Sequence, residues 1–318
     1  MEIAENLKQL VREKYSEIAQ QSKEENASSC CGAGGCSTEV YNIMSDDYTK
    51  MAGYNPDADL GLGCGLPTQY AHMKKGDTVI DLGSGAGNDC FIARSVVGEA
   101  GKVIGIDMTE AMISKARINA DTQGVNNVEF RLGEIEDLPV AANRADVVVS
   151  NCVLNLVPDK QKAFQEILRV LKPGGHFSIS DVVLKGELPD NLKKASEMYA
   201  GCVSGALQME EYMKIIQETG FADIKIQKEK TIVIPDDILG NYLTPGEIDE
   251  YKKTGSGIFS ITVYGIKKDV SASGCCGGSP THNADACCKL DEEKKAEGET
   301  GCGCNSAKSD STQKTCCN

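Results

Sequence analysis

A doubly wound α/β fold with a mostly parallel sheet is the architecture this sequence predicts, and three observations carry it. Short β-rich runs alternate with stretches of helical periodicity between Asp77 and Gly175. A glycine-rich turn, Asp81-Leu82-Gly83-Ser84-Gly85-Ala86-Gly87, stands between the first such run and the first such helix. The strands are separated by helices rather than by tight turns, which implies crossover connections and a parallel sheet.

The elements follow in order. Residues 3 to 21 place Ile3, Leu7, Leu10, Val11 and Ile18 at roughly helical spacing and predict an amphipathic helix. A polar, glycine-containing patch with Cys30, Cys31 and Cys36 comes next and reads as a thiol loop. Val79-Ile80-Asp81 leads into a helix from about Asn88, and Val103-Ile104-Gly105-Ile106-Asp107 into a helix from about Thr109. Val128-Glu129-Phe130-Arg131-Leu132 and Asp146-Val147-Val148-Val149 continue the alternation. A helix from about Lys160 is expected to end at Lys172-Pro173-Gly174-Gly175. After Phe177-Ser178-Ile179-Ser180 the rhythm changes to a helical region over roughly 190 to 219, a run from Ile224 to Ile234, and a strand-like stretch from Phe259 to Ile266. This part is expected to complete the sheet and to cover the substrate as a smaller α+β region. Beyond Asp269 there is almost nothing apolar except alanine and cysteine, so that tail is expected to be disordered. The predicted organisation is therefore an N-terminal helix and cysteine loop (1–55), a cofactor-binding domain (56–183), a substrate-binding region (184–268) and a Cys-rich tail (269–318).

Composition narrows the function. A chain of 318 residues can bury one substantial core. Its 33 basic and 47 acidic residues give a formal charge of −14, which repels a phosphate backbone or an anionic membrane, so neither nucleic acid nor membrane is an expected partner. No apolar run approaches the roughly 20 residues that span a bilayer. The start, Met1-Glu2-Ile3-Ala4-Glu5, is acidic where a secretory signal is basic and then apolar, so a cytoplasmic location is expected. Fifteen cysteines would suit a secreted disulfide scaffold, but such scaffolds are small and core-poor; here the thiols accompany a large α/β pattern and are expected to be mostly reduced and chemically used.

The glycine turn is the candidate cofactor site. A dinucleotide fingerprint asks for glycine at its sixth position, and counting from Gly83 that residue is Asn88, which weakens a nicotinamide reading. The Asp-x-Gly-x-Gly-x-Gly pattern instead resembles motif I of class I S-adenosylmethionine-dependent methyltransferases, where glycine lets backbone approach the ligand closely. Asp107 ends the next strand about 20 residues after the turn, where a carboxylate can accept from both ribose hydroxyls; the plain alternative is an ordinary acid near a helix start. The resemblance implies that Asp81, Gly83, Ser84, Gly85 and Gly87 form the binding turn. It also implies that Met108 packs on the adenine, that Glu134 and Ile135 flank its amino edge, and that Asn151 borders the methionine end. For Glu134 the alternative is a solvated loop residue.

Three cysteine contexts indicate what the methyl group goes to. Cys152 follows a predicted strand, at the carboxyl end where ligands of open α/β sheets sit; alone it would equally suit a small buried hydrophobe. Ser150-Asn151-Cys152-Val153-Leu154-Asn155-Leu156-Val157-Pro158-Asp159-Lys160 closely resembles a segment of the arsenite methyltransferases, as do Leu62-Gly63-Cys64-Gly65-Leu66 and Gly201-Cys202-Val203-Ser204-Gly205-Ala206-Leu207. With the glycine turn and Gly105-Ile106-Asp107-Met108-Thr109, the likeness spans about residues 50 to 265. It implies that Cys152 and Cys202 hold trivalent arsenic, that Cys64 serves as third ligand or relay, and that Cys30 or Cys31 loosely matches a further family cysteine. Soft arsenic prefers thiolate sulfur, and if its lone pair points at the sulfonium methyl, arsenic itself is the nucleophile and no general base is needed. His72, His176 and His282 accordingly lack catalytic contexts. Methylation raises arsenic to the pentavalent state, and the family's answer is a cysteine disulfide that thioredoxin or glutathione then reduces. Animal and algal members carry an aromatic residue two positions before the equivalent of Cys64; here it is Leu62.

In the tail, Cys275-Cys276, Cys287-Cys288, Cys302-Gly303-Cys304 and Cys316-Cys317 fit zinc-finger spacing poorly. They read either as an arsenic-collecting arm that raises local concentration or as a dispensable extension. A monomer is the expected state. Two competing functions are a carbon methyltransferase of the quinone-biosynthesis kind and a thiol-rich metal-sequestering protein.

Overall fold

Apolar five- to seven-residue runs with helices between them bury both faces of a sheet, and the strands assemble accordingly. The computed structural model describes residues 2–21, 46–192 and 205–269. The elements are α1 (Glu2–Ala19), α2 (Pro67–Tyr70), β1 (Thr78–Leu82), α3 (Asn88–Val97), β2 (Lys102–Asp107), α4 (Glu110–Gln123), β3 (Val128–Leu132) and β4 (Ala145–Asn151). After a short 3-10 turn at Leu154–Leu156 come α5 (Lys160–Val170), β5 (Leu171–Lys185), α6 (Met209–Thr219), β6 (Ala222–Ile232), α7 (Asp236–Leu239), α8 (Pro245–Thr254) and β7 (Gly257–Ile266). The strands form one seven-stranded sheet in the order β3-β2-β1-β4-β5-β7-β6. β1 through β5 pair in parallel; β7 lies antiparallel to both β5 and β6. The fold is the doubly wound one the sequence predicts.

Strand order reverses on either side of β1, because β2 lies on one side and β4 on the other. The crevice beyond the carboxyl ends of such neighbours is where open α/β sheets bind ligands. Leu82 pairs with Ser150, so the glycine turn that follows β1 and the Asn151-Cys152 step that ends β4 leave the sheet side by side.

Two apolar layers cover the sheet. One contains Phe164, Phe177, Tyr212 and Phe221, with Phe177 and Phe221 edge to face at 4.8 Å. The other gathers Phe91, Phe130 and Met112 from α3, β3 and α4, with Tyr15, Ile18 and Ala19 from α1. A third, smaller cluster packs Leu188, Leu192, Leu239, Leu243 and Ile248 around Cys64 and Cys152. Residues after β5 thus do two things: β6 and β7 extend the sheet, and α7 and α8 bring apolar side chains over the thiols.

Several expectations shift in detail. The buried face of α1 is Val11, Tyr15, Ile18 and Ala19, whereas Leu7 and Leu10 are 43% and 63% exposed. α5 ends at Val170, before Lys172-Pro173, and β5 begins at once with Leu171. The residue preceding a proline is pushed toward extended backbone, which stops the helix there. α8 was absent from the sequence reading although its signal is local: Thr244 and Glu247 form a reciprocal capping box with Pro245 in the first turn. Cys30, Cys31, Cys36, Cys202, His282 and the tail cysteines lie outside the described residues. Among the described residues no helix is long and apolar enough to cross a membrane.

Candidate functional site

The turn after β1 is made by backbone proximity. The amides of Gly83 and Ser84 both donate to the Ile106 carbonyl, at 2.8 and 3.0 Å, tying the turn to the end of β2. Gly83 has φ +68, and a Cβ there would lie 2.5 Å from Val153. Only glycine meets both demands. Gly85 donates to Asp107 Oδ2 at 3.0 Å, and Thr109 donates to Oδ1 at 2.8 Å. Burial pushes the Asp107 carboxyl up, and those backbone hydrogen bonds pull it down.

A cleft opens between these turns. Asp81, Gly83, Ser84, Gly85, Asp107, Met108, Glu134, Ile135 and Asn151 line it, and so does Cys152. Gly87 is not on its wall; it starts α3 with φ +101, and a Cβ there would meet Phe130 and Phe91 at 2.9 Å, so helix packing explains this glycine. Two buried polar atoms on the wall, Ser84 Oγ and Asn88 Oδ1, have no hydrogen-bond partner among the described residues. Orphaned buried polar atoms are costly unless a ligand or water completes them, so the wall fits a polar nucleoside ligand.

Glu134, on the cleft wall, is held by α1. Its two oxygens accept from Lys8 Nζ at 2.6 Å and Arg12 Nη2 at 2.7 Å, both on α1, while Lys8 also pairs with Glu136 at 3.1 Å. Hydrogen bonding to Lys8 is the main reason its carboxyl sits below the ordinary value. Lys8, Val11 and Tyr15 complete the cleft wall, so α1 is part of the site, which its helical periodicity alone did not reveal.

Cys64 and Cys152 are both buried and share one cluster. Asn151 joins them. Its Oδ1 accepts from the Cys64 and Gly65 amides at 3.1 and 3.3 Å, and its Nδ2 donates to the Gly65 carbonyl at 2.9 Å. The next residue in the chain is Cys152, held at φ +61 with its amide donating to the Ser180 carbonyl at 2.8 Å. A side chain at 63 or 65 would break this arrangement, since a Cβ at Gly63 falls 2.5 Å from Asn151 Nδ2 and one at Gly65 falls 2.5 Å from Ser180 Oγ. The Ser260 hydroxyl donates to the Cys64 carbonyl at 2.6 Å and closes the clamp from β7. Cys64 itself does not line the cleft; Cys152 does.

Sequence reasoning missed five residues of the hydrogen-bond networks near these thiols: Tyr48, Thr68, Asp89, Asp181 and Tyr212. The Tyr48 hydroxyl, fully buried, lies 2.9 Å from Asp89 Oδ2 and 3.0 Å from the Gly65 carbonyl, and Asn151 Nδ2 donates to it. Thr68 donates to Asp89 Oδ1 at 3.2 Å. Under the cluster, Tyr212 donates to Asp181 Oδ2 at 3.3 Å, and burial raises the Asp181 carboxyl to about 7. Asp89, in the first turn of α3, reads in sequence as an acid complementing a helix dipole, and Tyr48 lies in a stretch without periodicity. His72 and His176 pack against Tyr264 and do not line the cleft.

Residues 73–220 match a methyltransferase-domain family. An arsenite methyltransferase of Halobacterium salinarum is 43% identical over 78% of this chain and 67% of its own. A demethylmenaquinone methyltransferase of Lactococcus lactis is 34% identical over 43% of this chain and 54% of its own. Among solved structures, an arsenic(III) S-adenosylmethionine methyltransferase from Chlamydomonas reinhardtii superposes with a TM-score of 0.54 at 30% identity, covering 71% of this chain and 72% of that one. With a relative this similar over most of both chains, and with a buried thiol opening on a methyltransferase-type cleft, the chain belongs to the arsenite methyltransferase family.

Proposed function

We propose that this protein transfers a methyl group from S-adenosylmethionine to trivalent arsenic held as a thiolate adduct, giving methylated arsenicals and so detoxifying arsenite. The observation that carries the reading is the tie between the two thiol-bearing segments and the cleft: Asn151 fixes the Cys64 loop through its side chain and Cys152 through the chain, and Asn151 and Cys152 both line the cleft. Bound in the cleft, S-adenosylmethionine supplies an activated methyl group. Asp107 offers a carboxylate to the ribose, Ser84 Oγ and Asn88 Oδ1 gain the partners they lack, and the apolar side chains of α7 and α8 keep water from the thiols. Cys64 and Cys152, joined by Cys202, hold the arsenic with its lone pair toward the cleft, so positioning rather than proton abstraction supplies the acceleration. Two cysteine thiols, with Cys30 or Cys31 as the candidate further thiol, give up two electrons and close a disulfide as arsenic returns to the trivalent state, and thioredoxin or glutathione then reduces that disulfide.

Labelled donor, arsenite and a dithiol, with products separated by chromatography, test the reading. Wild type is expected to yield labelled methylarsenicals, and Cys64→Ser, Cys152→Ser and Cys202→Ser each to abolish them while donor binding persists. Transfer that survives two of these substitutions favours the carbon methyltransferase reading, for which the Lactococcus lactis similarity is the supporting observation. Tight arsenite binding without transfer favours sequestration.

A further inference from the structure

The cleft wall carries a buried carboxylate that no cation pairs with among the described residues. Asp89 is buried and lines the cleft, and the groups within hydrogen-bond reach of it are the Tyr48 hydroxyl, Thr68 Oγ1 and Asn151 Nδ2. Among the described residues no lysine or arginine pairs with it, and the carboxyls of Asp59 and Asp81 act on it with like charge. A buried ion without a counter-charge is expensive, and sites keep one where a ligand supplies the opposite sign.

Its position is set by the groups that set the thiols. Asn151 Nδ2 reaches Asp89 Oδ2 at 3.4 Å and the Gly65 carbonyl at 2.9 Å, and Tyr48 bridges the same two acceptors. The carboxylate is therefore tied to the Cys64 loop through shared partners, and it lines the same cleft as the glycine turn and Cys152. Asp107, by contrast, is oriented by the amides of Gly85 and Thr109, one on each oxygen, and its remaining lone pairs are the ones proposed for the ribose. Asp81 accepts the Cys90 thiol at 3.2 Å, and burial together with the charge of Asp89 pushes its carboxyl well above the usual range. Burial raises Asp89 to about 6 against the hydrogen bonds from Tyr48, Asn151 and Thr68, and a cation bound beside it would favour the ionised form.

Resting on the reading of the cleft as a donor site, we propose that Asp89 is the counter-charge to the donor's sulfonium and sets the preference for the cationic donor over the neutral thioether product. Methyl transfer removes that positive charge, so the same carboxylate that holds the donor loses its partner afterwards and favours exchange of product for fresh donor. Tyr48 and Thr68 are positioning residues: they aim the carboxylate and are not expected to touch the reacting atoms.

Titration calorimetry without arsenic tests this, using S-adenosylmethionine and S-adenosylhomocysteine on wild type, Asp89→Asn and Tyr48→Phe. Asp89→Asn is expected to move the ratio of the two affinities roughly fivefold or more toward the thioether. Tyr48→Phe keeps the charge and is expected to hold the ratio within about twofold. An unchanged ratio in Asp89→Asn, including an equal loss of both affinities as an ammonium contact would give, overturns the proposal. Should Asp89→Asn not fold, wild type still decides: sinefungin, with an ammonium in place of the sulfonium, must bind roughly fivefold tighter than the thioether, and equal affinity overturns the proposal. A wild-type chain that binds neither ligand overturns the donor reading and this proposal together, whereas binding without arsenic methylation overturns only the choice of acceptor and leaves the counter-charge supported.

Discussion

Lys8→Met with Arg12→Met removes the cations that tie α1 to residues 134–136 while keeping the apolar stems. The Arg12–Glu134 pair joins side chains 29% and 35% exposed, and at that exposure it contributes about 0.5 kcal/mol. Lys8 counts for more, because it serves Glu134 and also Glu136, whose side chain is 9% exposed and loses its cation, costing about 1–2 kcal/mol. Together the change weakens α1 docking by roughly 2 kcal/mol, which raises the undocked population about 30-fold at 1.36 kcal/mol per decade. Lys8, Val11 and Tyr15 line the cleft, so undocking opens it.

Hydrogen exchange reads this directly. Amides of α1 are expected to lose protection by that factor while those of α4 keep theirs, and donor dissociation is expected to speed up. The sign of the pH dependence is fixed by Glu134: its carboxyl is depressed in the fold, so the ion-pair contribution is present above its ordinary 4.5 and is lost as pH falls through the lower, folded value. The double variant lacks that acid-sensitive step. Unchanged α1 exchange, or exchange rising equally across the whole sheet, refutes the reasoning.

Other changes have equally definite outcomes. Gly65→Ala puts a Cβ 2.5 Å from Ser180 Oγ and 2.7 Å from Ser180 Cβ. It is expected to cost about 1–3 kcal/mol and to impair arsenic binding, with partial recovery in the Gly65→Ala, Ser180→Gly double variant by thermal melting and arsenite titration. Asp181 has a folded pKa of about 7 against an ordinary 3.8, so the unfolded chain releases its proton first and stability falls as pH rises between those values. The penalty reaches about 4 kcal/mol above pH 7 at 1.36 kcal/mol per pH unit, and Asp181→Asn is expected to flatten the pH profile of denaturant unfolding. Thr244→Ala removes the capping box of α8, at about 1 kcal/mol, and lowers the melting temperature because Ile248 of that helix packs in the cluster containing both thiols.

The sheet was legible because its signals are local. Runs such as Val147-Val148-Val149 and Val103-Ile104 need burial on both faces, and the helices between them leave a parallel arrangement as the simple solution. The cleft wall was legible for the same reason, since the glycine turn and the strand-end acid are set by the strands they follow. What was not legible depends on distant partners. Which side of α1 is buried is decided by α4 and by Glu134, more than 120 residues away in the chain, not by the count of apolar positions. Tyr48 acquires meaning only when Gly65, Asp89 and Asn151 surround it. Asp181 and Tyr212 lie on β5 and α6 and meet only in the folded core.

On the proposed reading the lack of a general base follows from atom balance as well as geometry. When arsenite binds cysteines, each As–O bond that breaks gives a hydroxide, each thiol gives a proton, and the two leave as water, so no net proton needs an acceptor. Lone-pair attack on a sulfonium methyl then releases none either. What the protein must supply is fixed distance, and it supplies it through one junction: β4 ends at Asn151, whose side chain holds the Cys64 loop and whose neighbour in the chain carries Cys152 at φ +61. A non-glycine residue in that conformation costs of order 1 kcal/mol and persists only where its surroundings over-determine it. The Ser180 carbonyl from β5 and the register of β4 against β5 provide that determination. A change that slips this register therefore disables methyl transfer even where every cysteine is intact.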